Sequence, residues 1–176
     1  EFDWIGFIDG DEFVEIPGYE NIKELFSDKN SGSVVLKWLC YGDNEKLFYE
    51  DKPVRKRFTV PSKKQGGNFT TKYFLNSDVV ADKIFHPCSP PTRDICDVFG
   101  NPITDICKVT DRAKDELSVA YISHYITKST EEYIKYKMLR GRLGRNIPPR
   151  YTVPFYFGYN EETEDKKKMF QSYISC

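Results

Sequence analysis

A short apolar run that ends abruptly in acids is the feature that most constrains the fold of this chain. Trp4-Ile5-Gly6-Phe7-Ile8 is followed directly by Asp9-Gly10-Asp11-Glu12. Aromatic and β-branched residues in a run of this length predict a buried β-strand that delivers the acids to an edge of the sheet. Ligands of open α/β sheets bind at the carboxyl ends of strands. The sequence therefore predicts an α/β fold with its chemistry beside these acids.

The acids themselves suggest a metal site. Two carboxylates separated by one residue offer hard oxygen ligands that suit Mg²⁺ or Mn²⁺. Glu12 adds a third carboxylate, and no lysine or arginine stands close to it in the sequence. Clustered carboxylates are costly unless a cation neutralises them. The alternative interpretation is a solvated turn that follows a core strand.

Composition restricts the class of protein. With 176 residues the chain is predicted to form a single domain, 1–176. The 26 basic and 27 acidic residues give a net charge of −1, which argues against nucleic acid as a partner. No apolar run is long enough for a transmembrane segment, and no secretory pattern opens the sequence. Five cysteines without a CxxC pair predict free thiols, and hence a cytoplasmic location, with peripheral membrane association as an alternative.

Local patterns predict the order of helices and strands. The helix beginning at Ser129 carries a capping box with Glu132, and Gly141 is expected to end it. Predicted strands cover residues 33–41, 54–60, 72–75 and 117–125. Predicted helices cover residues 21–26 and 161–174, and irregular or extended segments cover 86–105 and 142–159.

His124 stands near the end of the predicted strand 117–125, just before this helix. Exposed amides at a helix N-terminus, a hydroxyl and a lysine together favour an anion. His124 is therefore expected to complete the metal shell while Lys128, Thr127 and Ser129 hold phosphates. The alternative is an ordinary core or surface histidine.

Three segments resemble family-2-like glycosyltransferases of the GT-A fold, including the group related to bacterial capsule and lipopolysaccharide sugar transferases. Residues 4–13 resemble the family's W-I-x-F-I-D-x-D-E-F strand. Residues 38–42, with Val54 and Arg57-Phe58, resemble its W-x-x-F-G and R-F region. Residues 123–133, with Lys137 and Arg140-Gly141, resemble its N-H-Y-x-T-K-S-x-E-E-F signature, and the resemblance spans roughly residues 3–142.

The resemblance implies a mixed sheet flanked by helices and a metal-dependent sugar transfer. The donor would be a nucleotide-diphosphate sugar, the acceptor a saccharide or glycolipid, and the outcome inversion. Asp11 and His124 would ligate Mn²⁺ or Mg²⁺, Asp9 would lie near the metal or the donor ribose, and Lys128 would contact the diphosphate beside Ser129.

An inverting transfer also needs a general base. Asp43, in the turn after the strand that carries Trp38, is the candidate, with Asp94 and Asp97 as rivals. An ordinary turn role for Asp43 is an equal alternative.

Two departures from the family pattern matter. The GT-A fold places a nucleotide-binding βαβ half before the acidic strand, and the given sequence does not show this pattern. It is therefore expected to be the catalytic and acceptor-side part of a longer protein, with a half supplied from elsewhere as the alternative. Ser123 stands where the family often has asparagine.

Two further functions stay open. A strand ending in D-x-D is also the nucleophile motif of haloacid-dehalogenase-like phosphatases, although Phe13 stands where that motif has threonine or valine. A non-catalytic remnant that binds saccharides or nucleotides is the third interpretation.

Overall fold

The computed structural model describes residues 3–64, 71–78, 94–103, 116–139 and 151–174. It divides the chain into two compact units, each built from two separate segments. The first unit comprises Glu1–Leu39 and Asn68–His124, and the second comprises Cys40–Gly67 and Tyr125–Cys176. This division does not test the prediction of a single domain.

A mixed sheet organises the first unit, which confirms the predicted α/β class. Among the described residues its strand order is β1-β4-β3-β6-β2, and β5 pairs with β3 in parallel. The pairs β1/β4, β3/β4 and β2/β6 are antiparallel. The strands are β1 (Trp4–Gly6), β2 (Glu12–Glu15), β3 (Ser33–Cys40), β4 (Thr71–Asn76), β5 (Ile95–Cys96) and β6 (Tyr121–His124).

The predicted buried strand at residues 4–8 is wrong in extent and in burial. Only Trp4–Gly6 forms β1, and Phe7 and Ile8 are 37% and 38% exposed. The physical reason is its position, because among the described strands β1 pairs with β4 alone and lies at the edge of the sheet. Trp4 packs inward by stacking on Phe26, with ring centroids 4.8 Å apart. Hydrophobic composition alone does not distinguish an edge strand from a central one.

The central strands of the sheet and helix α1 agree closely with the elements predicted from the sequence. β3 occupies almost all of the predicted strand 33–41, and Val34 and Leu36 on it are fully buried. β4 confirms the predicted strand 72–75. Helix α1 (Ile22–Ser27) begins where predicted, because the Asn21 side chain accepts hydrogen bonds from the amides of Lys23 and Glu24.

Short helices and an aromatic core make up the described part of the second unit. Tyr133, Ile134, Tyr156 and Phe170 are buried together in this core. The helices are α2 (Val54–Arg57), α3 (Thr130–Glu132), a π-helix (Tyr133–Met138), α4 (Val153–Phe157) and α5 (Glu164–Ile174). Helix α5 confirms the predicted C-terminal helix, which begins three residues later than expected.

Two predicted segments of the second unit are corrected. Within the predicted strand 54–60, residues 54–57 instead form the short helix α2, with Pro53 at its N-cap and Phe58 N donating to Val54 O. Within the predicted extended segment 142–159, residues 153–157 form α4, since Thr152 caps it and Pro154 fits its first turn.

Other predictions are met in part. Strand β6 is shorter than the predicted 117–125, since the Val119 and Ala120 amides turn back to the Glu116 carbonyl. The predicted irregular segment 86–105 contains β5 within its described part. Cys40 and Cys96 are buried and are not joined in a disulfide, and the other three cysteines and Gly141 lie outside the described residues.

Candidate active site

The first unit brings together the carboxylate of Asp11 and the imidazole of His124. His124 Nε2 lies 3.7 Å from Asp11 Oδ1, and their side chains are 8% and 17% exposed. Strand pairing produces this proximity, because Glu12 on β2 stands directly opposite His124 on β6. Asp11, the residue before Glu12, therefore reaches the same end of the strand pair. The predicted proximity of these two residues is confirmed.

Trp38 on β3 supports the imidazole. Its ring meets the His124 ring edge to face, with centroids 4.1 Å apart and planes at 65°. This contact holds the imidazole in one orientation beside Asp11. The indole Nε1 of Trp38 is buried without a hydrogen-bond partner among the described residues.

A lysine pairs with the other two acids. Lys72 Nζ on β4 lies 2.9 Å from Asp9 Oδ2 and 3.1 Å from Glu12 Oε2. The Lys72 and Glu12 side chains are buried, whereas the side chain of Asp9 is 69% exposed. This corrects the expectation that the acids have no basic partner, which was drawn from sequence neighbours alone. Lys72 reaches these acids through the pairing of strands, which the sequence does not show.

The pKa values of Glu12 and Lys72 are both raised, but for different reasons. Burial raises the pKa of Glu12 above its usual range, although the Asp9 amide and Lys72 both favour the carboxylate. Burial alone would lower the pKa of Lys72, but its bonds to Asp9 and Glu12 outweigh this effect and raise it. Lys72 therefore stays charged at neutral pH and compensates a carboxylate that burial disfavours.

Replacing Lys72 by methionine is expected to lower the free energy of unfolding by roughly 2 kcal/mol at neutral pH, because Glu12 is left buried without its counter-ion. Loss of Lys72 raises the pKa of Glu12 further, so the folded state binds the proton more tightly than the unfolded state. The destabilisation should therefore be small near pH 4 and grow as the pH rises above the ordinary value of 4.5.

Urea unfolding between pH 4 and pH 8 measures this dependence. Lys23→Met, on the exposed side of α1, is the matched control and should change stability little. A loss for Lys72→Met that is the same at every pH would contradict the ion-pair interpretation.

The side chains of Asp11 and His124 are suited to a divalent cation that is also bound by a ligand. Among the described residues, no three His, Cys, Asp or Glu side chains are grouped to hold a metal. Asp9 pairs with Lys72 and is not grouped with Asp11 and His124. A carboxylate oxygen and an imidazole nitrogen nevertheless suit Mn²⁺. Mg²⁺-type sites commonly take one or two protein ligands and complete the shell with substrate phosphates and water.

The second unit contains the predicted helix start at Ser129. The capping box is confirmed, since Ser129 Oγ accepts from the Glu132 amide and the Glu132 carboxylate accepts from the Ser129 amide. Ser129 is buried, and its hydroxyl also donates to Glu132 Oε2 at 2.7 Å. Lys128, immediately before it, has a left-handed backbone with φ of 58°. Contact of Lys128 and Ser129 with a donor diphosphate stays a prediction.

A buried ion pair that sequence reasoning missed holds this helix. Arg57 donates from Nη1 and Nη2 to the two carboxylate oxygens of Glu132 at 2.6 and 3.0 Å. Both side chains are at most 6% exposed. The resemblance had singled out both residues, but nothing in the sequence shows that they meet.

Each candidate general base already has structural partners. Asp43 is buried, with Oδ2 bonded to Lys166 Nζ at 2.6 Å and to the Tyr156 hydroxyl. Asp94 accepts from the Gly32 amide at 2.7 Å. Asp97 accepts two backbone amides in a turn, those of Phe99 and Asn101. The assignment of a base to Asp43, Asp94 or Asp97 stays a prediction.

Comparison with known proteins adds no support to the resemblance to glycosyltransferases, which rests on the three sequence motifs. No protein-family model matches the chain, and no significant match was found among curated proteins or solved structures. Within the part of the chain that the structure describes, no helix has the length and apolar character needed to cross a membrane.

Proposed function

We propose that this protein is a metal-dependent glycosyltransferase that transfers a sugar from a nucleotide-diphosphate donor to a saccharide or glycolipid acceptor. The observation that carries the proposal is the 3.7 Å approach of Asp11 and His124, two residues singled out by separate motifs of the resemblance. Residues so distant in the chain meet because β2 and β6 are paired.

Each residue of the site has a distinct task in this proposal. Asp11 and His124 hold Mn²⁺ or Mg²⁺, which when bound neutralises charge on the leaving diphosphate as a Lewis acid. Trp38 fixes the imidazole through its ring contact. Lys72 offsets part of the negative charge of Asp9 and Glu12, so these acids repel an anionic donor less. Lys128 and Ser129 are assigned to the diphosphate on the strength of the resemblance.

The test is a donor screen on the full chain. UDP-, GDP- and dTDP-sugars are supplied with Mn²⁺, and release of the nucleoside diphosphate is measured with and without saccharide acceptors. We expect release from one donor class that stops when the metal is chelated. Asp11→Asn should lower the rate about a hundredfold, equivalent to roughly 2.7 kcal/mol of transition-state stabilisation.

Glu20→Gln, which removes an exposed carboxylate of the same unit, is the matched control and should keep the wild-type rate. Release that survives chelation, or an Asp11→Asn rate equal to that of the control, would contradict the proposal. Nucleotide binding without release from any donor would favour the non-catalytic interpretation.

One observation favours a haloacid-dehalogenase-like phosphatase as a second candidate. Lys72 Nζ lies 2.9 Å from Asp9, the residue that would be the nucleophile, and that motif also requires a lysine. Beryllium trifluoride with Mg²⁺ mimics an aspartyl-phosphate. Protection of the wild-type chain against thermal unfolding that disappears in Asp9→Asn would support this candidate, and equal behaviour of the two would exclude it.

A further inference from the structure

A cavity of about 320 Å³ lies within the second unit, and its lining combines polar and apolar surface. It is lined by three segments, residues 42–45, 60–64 and 159–161, together with Lys166. None of these residues belongs to the Asp11–His124 site, and none was assigned a role from the sequence except Asp43, the candidate general base.

The floor of the cavity is buried and fixed by hydrogen bonds. Asp43, Asn160 and Lys166 are each at most 4% exposed. Asn160 Oδ1 accepts from the Asp43 amide at 2.6 Å, and its Nδ2 donates to the Tyr156 carbonyl at 2.9 Å. Gly42 permits this close approach, since a Cβ there would lie 2.5 Å from Asn160 Oδ1. The polar groups of the floor are therefore held in place before any ligand arrives.

One wall has an unusual backbone. Asn44 and Glu45 are consecutive non-glycine residues in the left-handed region, with φ of 48° and 64°. The Asn44 side chain holds the facing wall, because it accepts from the Thr59 and Val60 amides at 2.9 Å and donates to the Val60 carbonyl at 2.8 Å. Such conformations persist only where their surroundings enforce them, and they concentrate at ligand sites.

The charges that line the cavity cancel. Its acidic side chains are Asp43, Glu45 and Glu161, and its basic side chains are Lys63, Lys64 and Lys166. Four of these six side chains form two ion pairs, Lys166 with Asp43 at 2.6 Å and Lys64 with Glu161 at 3.4 Å. A phosphorylated or carboxylated ligand would gain little from a lining without net charge.

We infer that this cavity binds a neutral saccharide unit. The lysines of the lining are hydrogen-bond donors and its carboxylates are acceptors, and both kinds of group can bond to the hydroxyl groups of a sugar. Val60, 59% exposed on the rim beside Pro61, offers an apolar surface to the C–H face of a sugar ring. This inference goes beyond the proposed function and rests only on residues of the second unit.

Saturation-transfer NMR on the full chain, without metal or nucleotide, tests it. The probes are methyl glucosides, methyl galactosides, maltose and lactose, compared with glucose 1-phosphate and inorganic phosphate. We expect saturation transfer to at least one neutral glycoside. Val60→Trp fills the rim with a large side chain and should weaken its binding about tenfold.

Ile174→Trp is the matched control, because Ile174 is 60% exposed in the same unit and does not line the cavity. It should bind the glycoside as the wild type does, and so should Asp11→Asn, whose defect concerns the proposed function alone. Three outcomes would overturn the inference: no transfer to any neutral glycoside, transfer to the phosphorylated probes only, or equal binding by Val60→Trp and Ile174→Trp.

Discussion

Replacing Glu132 by glutamine is expected to lower the free energy of unfolding by roughly 3–5 kcal/mol at neutral pH, because Arg57 is left buried without a counter-charge. In the native chain the guanidinium donates to both oxygens of this carboxylate, and both side chains are at most 6% exposed. Loss of the carboxylate also removes the ionised half of the capping box with Ser129. Urea unfolding at pH 7 measures the effect.

The stability lost in Glu132→Gln depends on pH. Burial alone would raise the pKa of Glu132, but the hydrogen bonds from Arg57 and Ser129 outweigh it and hold the pKa below the ordinary value of 4.5. For a carboxyl group with a depressed folded pKa, the stabilisation is present above that ordinary value and is lost as the pH falls through the folded pKa. The stability difference between wild type and Glu132→Gln should therefore shrink below about pH 4.5.

Glu131 provides the matched control for this prediction. It stands next to Glu132 in the same turn, but it pairs with Lys135 at the surface. Exposed pairs of this spacing contribute below about 1 kcal/mol, so Glu131→Gln should cost far less. Equal losses for the two variants would show that Arg57 does not depend on Glu132.

Replacing Lys166 by methionine is expected to have an effect of similar size, roughly 3–5 kcal/mol, because Asp43 then keeps a buried negative charge. Lys166 Nζ lies 2.6 Å from Asp43 Oδ2, and the two side chains are 2% and 5% exposed. The Tyr156 hydroxyl bonds to the same oxygen, and burial together with the Asp43 charge raises the pKa of this tyrosine. Tyr156 therefore stays protonated and neutral, and the positive charge beside Asp43 is that of Lys166.

Lys168→Met, two residues along α5 at an exposed position, is the control and should leave stability nearly unchanged. Chemical unfolding of the two variants and the wild type compares them directly. The double variant Lys166→Met with Asp43→Asn should recover part of the loss, because it removes the uncompensated charge. A double variant that is no more stable than Lys166→Met would contradict a dominant charge effect.

Features encoded by neighbouring residues were predicted well from the sequence. The capping box depends on Ser129 and Glu132, three positions apart, and it forms as expected. The central strand β3 was predicted because its apolar residues form one continuous run. The start of α1 at Asn21 is equally local.

Features that depend on which distant segments pair could not be predicted in the same way. Lys72 reaches Asp9 and Glu12 only because β4 and the acidic segment meet in the fold. The exposure of β1 follows from its place at the sheet edge, which its apolar residues do not reveal. Residues 54–57 form a helix although the segment 54–60 was predicted as a strand, and Pro53 stands at the N-cap of this helix.

The residues singled out for function include one contact that was predicted and one that was not. The meeting of Asp11 with His124 was predicted through two motifs that the resemblance linked, not through periodicity or charge. The ion pair of Asp43 with Lys166 left no local signal, since a polar turn residue gives no sign of being buried.

The central claim is that Asp11 and His124 hold one divalent cation, and pulsed electron paramagnetic resonance of Mn²⁺ bound to the full chain tests it most directly. The chain has two histidines, His86 and His124, so His86→Gln is a matched control. With Mn²⁺ and UDP present, we expect nitrogen coupling from an imidazole in the wild type and in His86→Gln. This coupling should vanish in His124→Gln, and Asp11→Asn should weaken Mn²⁺ binding about tenfold. Nitrogen coupling that persists in His124→Gln, or is absent from the wild type, would contradict the claim.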